Sequence, residues 1–187
     1  MKKLTIALMS LTLLQGCAAV VVAGVGAGAA SVNDRRTIGA QVDDQNIEIK
    51  AHALIAQHSE LHEMSKIQVV SVNGTVLVVG QAPNKAARDQ LINIIKDIKG
   101  IRKLHNQIRV GNIADLGTRT TDTWITTKVK TELLASDQLD GTAIKVITED
   151  SEVFLMGLVS AKEADKAVNI ARNINGVSRV YKAFETL

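Results

Sequence analysis

The chain has 187 residues, of which 46% are apolar and 22% charged, a globular balance that excludes wholesale disorder and suffices for one ordinary domain or two small ones. Its formal charge of +3 and pI near 9.0 do not argue for a nucleic-acid partner. Lys2 and Lys3 lie in an N-terminal stretch that reads as removable; without them 20 basic side chains face 19 acidic ones, and basic residues are not interleaved with aromatics, which make up only 2% of the chain.

Met1 to Leu14 has the build of a signal peptide, with Lys2 and Lys3 as the basic region and Leu4 to Leu14 as an apolar run too short to span a bilayer. Cys17 is the only cysteine, so no internal disulfide can form. Leu14-Gln15-Gly16-Cys17 resembles the bacterial lipobox, departing from its commonest form at Gln15. The resemblance implies cleavage after residue 16, diacylation of the Cys17 sulfur and acylation of the new amine, and Ala18 in place of Asp implies sorting to the outer membrane. Several acyl chains anchor firmly where one alone is marginal. Ala18 to Val32 carries no charge and is rich in Ala, Val and Gly, which reads as a tether continuing to residue 36.

The remainder is an internal repeat with a shift of 76 to 78 residues. Asp44, Ile47, Lys50 and Ile55 match Asp122, Ile125, Lys128 and Leu133; GTVLVVG from Gly74 matches SEVFLMG from Ser151; Ile98-Lys99-Gly100-Ile101 matches Ile174-Asn175-Gly176-Val177. Each unit opens with an amphipathic helix for which Asp44 or Asp122 is the expected N-cap. Two strands follow, Ile67 to Val72 and Val76 to Val79 around Asn73-Gly74, or Ile144 to Thr148 and Val153 to Met156 around residues 149–151. A second helix is opened by Pro83 in one unit and by the capping box of Ser160 and Glu163 in the other. It is closed by Gly100 or Gly176 before a last strand, Leu104 to Val110 or Val180 to Thr186. The spacing therefore predicts an α+β chain with αββαβ units at residues 37–110 and 121–187, joined by a linker at residues 111–120.

This order resembles the BON domain of bacterial envelope proteins. Two such units behind a lipobox resemble the dual-BON-domain outer-membrane lipoproteins of the DolP type, on the words NDRR, QVDD, VLVVGQ, DTWITTKV and VFLMGLV. The resemblance implies two three-stranded mixed sheets, each packed on two helices. It also implies a non-enzymatic protein on the periplasmic face of the outer membrane that supports envelope integrity, binds anionic phospholipid through its second domain and gathers at division sites.

Trp124 is the only tryptophan. On a helix it falls about 145° from the apolar stripe of Ile125, Val129 and Leu133, on a polar and basic face, and a large aromatic so placed usually has a partner. With the resemblance, the phospholipid-binding set is expected to be Gly117, Trp124, Thr127, Lys128, Lys130, Thr131 and Leu134. The indole would sit at headgroup level while Lys128 and Lys130 meet phosphates, each contributing on the order of 1 kcal/mol. The second unit is otherwise net acidic, with eight basic and ten acidic side chains over residues 121–187, so attraction to an anionic bilayer must be local. Two other readings of Trp124 stand beside this one: the same face docks an envelope-assembly or peptidoglycan-remodelling protein, or the ring packs against the first unit or the linker. Asn46 takes the place of Trp124 in the first unit.

Catalytic chemistry is not indicated. There is no nucleophile elbow and no phosphate-cradling glycine loop, and Gly24, Gly26 and Gly28 belong to the tether. His52, His58, His62 and His105 lack the carboxylate or cysteine companions of a metal site and read as surface residues. No metal, cofactor or nucleic-acid partner is expected.

Overall fold

The computed structural model describes residues 34–187; the signal peptide, Cys17 and the tether through residue 33 lie outside that range. The first repeat runs α1 (Ile38–Ala56), α2 (Ser59–Met64), β1 (Lys66–Val72), β2 (Thr75–Ala82), α3 (Lys85–Lys96) and β3 (Lys103–Val110). The second runs α4 (Leu116–Leu134), a short 3₁₀ turn (Gly141–Ala143), β4 (Ile144–Glu149), β5 (Glu152–Val159), α5 (Ala161–Arg172) and β6 (Arg179–Thr186). Each sheet has its middle strand antiparallel to the first and parallel to the third, with orders β1-β2-β3 and β4-β5-β6. The fold is the α+β arrangement that the sequence predicts, with α2 and the 3₁₀ turn added.

The hairpins explain the conserved spacing of the two units. Each has a two-residue turn with both residues at positive φ: Asn73 (51°) and Gly74 (73°), then Asp150 (50°) and Ser151 (63°), so residue 149 belongs to the strand. At the far end of each hairpin a glycine faces the neighbouring strand. A Cβ on Gly80 would collide with the carbonyl oxygen of Lys66, and one on Gly157 with that of Ala143.

The helix starts differ from expectation. Thr37 and Asp115 are the N-caps of α1 and α4, accepting from the backbone N–H groups of Ala40 and Thr118. Residues 116–120, assigned from sequence to the linker, are helical. Asp44 and Asp122 therefore lie within the helices, buried, and serve the hairpins instead. Asp44 Oδ1 accepts from Gly74 N (2.8 Å) and Ser71 Oγ (2.6 Å), and Oδ2 from Asn73 N (2.6 Å) and Arg36 Nη1 (2.8 Å). Asp122 accepts from Asp150 N and Ser151 N, both at 2.8 Å. Asn84, not Pro83, caps α3, whereas the Ser160–Glu163 capping box on α5 is formed. The α3 and α5 helices end at Lys96 and Arg172, and Gly100 and Gly176 follow four residues later at positive φ.

Each repeat has a core between its helices and one face of its sheet, built on Ile47, Val76, Val78, Leu91 and Ile95 in the first and Ile125, Val129, Val153, Leu155 and Ala171 in the second. A third core joins them. Val70, Val72, Leu77 and Val79 on the other face of the first sheet meet Ile147, Phe154, Met156 and Ala183 of the second, with Phe154 stacked on Tyr181 at 4.8 Å. The sheets thus pack back to back with helices outside, and all eight residues of β2 are buried. Around this seam Gln81 Nε2 donates to Glu149 (2.6 Å), Lys145 Nζ to Glu48 (3.2 Å) and the Ser71 carbonyl (3.1 Å), and Arg109 pairs with Asp150 and with Glu152 (2.6 Å). Asp34, Arg35 and Arg36, assigned from sequence to the tether, are held here as well. Arg36 bridges Asp34 and Asp44, and Arg35 grips Glu163 through two bonds of 2.7 and 2.8 Å.

Candidate functional site

The candidate site is the outer face of α4. The helix buries Asp122, Ile125, Val129 and Leu133, which fixes its rotation and turns Trp124 outward, 49% exposed, with no aromatic partner among the described residues. The alternative in which the ring packs against the first repeat or the linker is not what the fold shows. All of Gly117, Thr127, Lys128, Lys130, Thr131 and Leu134 are exposed. At 100° per residue, Gly117, Thr131 and Lys128 lie within about 40° of Trp124, and Thr127 and Leu134 within about 80°.

Lys130 does not share this face. It lies about 120° round the helix from Trp124 and about 160° from Lys128, on the flank where α4 meets β1 of the first repeat. The structure brings Trp124 and Lys128 together and separates Lys130 from both. Neither lysine has an ion-pair partner among the described residues, whereas Arg35, Arg36, Arg109 and Lys145 each hold a carboxylate.

The threonines change the character of the face. Thr120, Thr121, Thr123, Thr127 and Thr131 each donate the hydroxyl proton to the carbonyl four residues earlier, at 2.8 to 3.1 Å. Their donors are spent within the helix, so they offer methyl groups outward and the ridge is less water-loving than its letters suggest. Leu116, exposed at the start of the helix, extends the ridge about 27 Å from Leu134. Leu116 and Thr120 were missed because the linker was drawn through them, and Thr121 because the helix was started at Asp122; continuing the 3.6-residue period backward from Trp124 reaches all three.

The equivalent face of α1 has a different surface. Asn46 stands where Trp124 does, but Ile38, Val42 and Ile49 are each more than half exposed along the neighbouring stripe. His58 stands at the N-cap of α2 and His62 lies in its last turn, both exposed, and His58 Nδ1 lies 2.9 Å from the Leu54 carbonyl oxygen. His105, on β3, has its pKa lowered by burial and by Lys103.

Comparison with known proteins settles the family. The BON domain matches residues 43–112 and again 121–187, and the chain is 35% identical over all its 187 residues to the outer membrane lipoprotein DolP of Haemophilus influenzae, covering 97% of that protein. The chain belongs to the BON-domain family. It carries two BON domains in the DolP arrangement, BON1 being the first repeat and BON2 the second. It is also 40% identical over 149 residues to the 21 kDa hemolysin of Actinobacillus pleuropneumoniae, covering 80% of this chain and 77% of the relative. A third relative, the osmotically-inducible protein Y of Escherichia coli, is 26% identical over 152 residues, covering 80% of this chain and 75% of its own length. The family matches begin at Asp43 and Thr121, so the first turns of α1 and α4 precede the matched segments.

Proposed function

We propose that the chain is a lipid-anchored periplasmic protein of the outer membrane that binds anionic phospholipid through α4 of BON2 and supports envelope integrity, with enrichment at division sites. It is not an enzyme. The half-exposed Trp124 carries the reading: an indole on a methyl-covered ridge, beside Lys128, which has no ion-pair partner among the described residues, suits the boundary between headgroups and acyl chains. Relatives named as an outer membrane lipoprotein and as a hemolysin are in keeping with work at a membrane. With Cys17 acylated, a weak second contact suffices, because the anchor keeps the domain at the bilayer.

Trp124 fluorescence tests this. Titrating the soluble portion with phosphatidylglycerol vesicles should blue-shift the emission, and phosphatidylcholine vesicles should leave it unchanged. Trp124→Glu should abolish co-sedimentation with anionic vesicles while shifting stability by no more than about 0.5 kcal/mol. Lys128→Glu should weaken binding and lower its salt sensitivity. An indole emission indifferent to both vesicles overturns the reading.

The second reading is a protein adaptor for outer-membrane assembly or peptidoglycan-remodelling machinery. The aliphatic stripe of Ile38, Val42 and Ile49 favours it, since exposed aliphatic side chains along one helix are characteristic of protein contacts. Absence of co-sedimentation of the unaltered soluble portion with either vesicle would favour this reading over the first.

A further inference from the structure

Between α4, β4 and the start of β1 lies an open groove of about 490 Å³ that joins the two BON domains. Its cations are Arg119 and Lys130 from α4 and Lys66 from β1, and its carboxylates are Asp122 and Glu149. Both carboxylates are turned to other partners. Asp122 receives the two turn N–H groups, and Glu149 receives Gln81 Nε2 at 2.6 Å with Lys66 no nearer than 3.9 Å. The cations are less engaged. Arg119 uses only Nε, on the Ala114 carbonyl, and Lys130 has no partner among the described residues. Thr148 accepts from Thr126 and retains its own hydroxyl proton, and Gln68 adds an amide donor.

The repeat supplies an internal comparison. Under its 77-residue shift, Ala143, Lys145 and Val72 occupy the places of Lys66, Gln68 and Glu149, and there the chain fills the space itself. Arg36 reaches Asp44 at 2.8 Å, Lys145 reaches Glu48 at 3.2 Å, and a cavity of only about 20 Å³ remains. One of two equivalent grooves is closed by the protein's own charges, and the other is left open with its donors unspent.

We propose that the open groove binds a phosphate ester, with Arg119, Lys130 and Lys66 neutralising the anion and Thr148 and Gln68 donating to its oxygens. In the setting of the proposed function, on which this assignment of source rests, the ester is the headgroup phosphodiester of an anionic phospholipid whose bilayer meets Trp124. Thr127 lines the groove and lies about 60° round the helix from Trp124, which makes the groove continuous with the ridge, while Lys130 belongs to the groove alone. BON1 then contributes to lipid selectivity through Lys66, although the membrane-facing ridge belongs to BON2.

Two measurements on the soluble portion, residues 34–187, which contains all three cores, test this. In the first, sn-glycerol 3-phosphate is titrated while amide resonances are followed by NMR. Thr123, Thr126 and Thr148 should shift, Arg119→Gln and Lys130→Gln should each weaken binding about fivefold, and Trp124→Glu should change nothing. In the second, affinity for phosphatidylglycerol vesicles should fall about fivefold in Lys66→Gln and in Lys130→Gln. Lys130 has no partner to lose among the described residues, so a loss of fold cannot account for its effect. Groove shifts with glycerol phosphate, combined with vesicle affinity indifferent to Lys66→Gln and Lys130→Gln, would keep the site and assign it a free phosphate ester. Absence of groove shifts overturns the site, and Trp124-dependent vesicle binding would then still stand by itself.

Discussion

Asp44 and Asp122 each tie the middle of a helix to the tip of a hairpin, holding two consecutive N–H groups of a turn whose residues both sit at positive φ. For Asp44, burial pushes the pKa up, but hydrogen bonds from Gly74, Ser71, Asn73 and Arg36 outweigh it and hold the carboxyl below its ordinary value. A depressed folded pKa contributes stability above the unfolded value of about 3.9, lost as pH falls through the folded one. Glu163, held down by Arg35 and Ser160, and Asp34, held down by Arg36, act in the same direction. Asp44→Asn should therefore cost about 3 kcal/mol at pH 7, by the loss of charge-assisted bonds in a buried place, and distinctly less at pH 3. Urea unfolding at the two pH values checks this; an equal loss at both would show that the charge is immaterial. Asp122→Asn should cost less, having no arginine to lose. The sequence located both aspartates but misread them as N-caps. An Asp just before an apolar period has the same signature whether it caps its own helix or reaches across to a turn.

At the scale of the element, the period of the helices was legible only where they touch the sheet. Before Asp44 and Asp122, the first turns of α1 and α4 bury no side chain and have no stripe to read, which is why Leu116 to Thr120 passed for linker. The rotation of α4, and hence the exposure of Trp124, followed correctly from Ile125, Val129 and Leu133. The exposed stripe of α1 did not, because Asn46 drew attention from the isoleucines beside it. The two faces now make distinct predictions. An aliphatic ridge lacks the N–H handle and flat body that suit an indole to a headgroup layer. Asn46→Glu and Ile49→Ser should leave vesicle affinity and stability unchanged, within about 0.5 kcal/mol for the latter. If Ile49→Ser weakens vesicle binding as Trp124→Glu does, α1 shares the membrane contact and the division of labour between BON1 and BON2 is wrong.

For the whole molecule, the back-to-back sheets make the two BON domains one folding unit despite their separate cores. The sequence hinted at this, since GTVLVVG and VFLMGLV are continuous apolar runs and not alternations, a sign of burial on both faces. It could not say whether the second face meets the other repeat or another molecule. Phe154→Ala should cost about 3 kcal/mol and lower a single calorimetric transition; two resolved transitions would show that the domains unfold independently. The N-terminal strap acts at the same scale. Arg36 is fastened to BON1 through Asp44, and Arg35, its immediate neighbour, to BON2 through Glu163. A pull arriving along the chain at residue 34 is shared by both domains at their junction, so the load runs across the seam and the first domain is not peeled from the second.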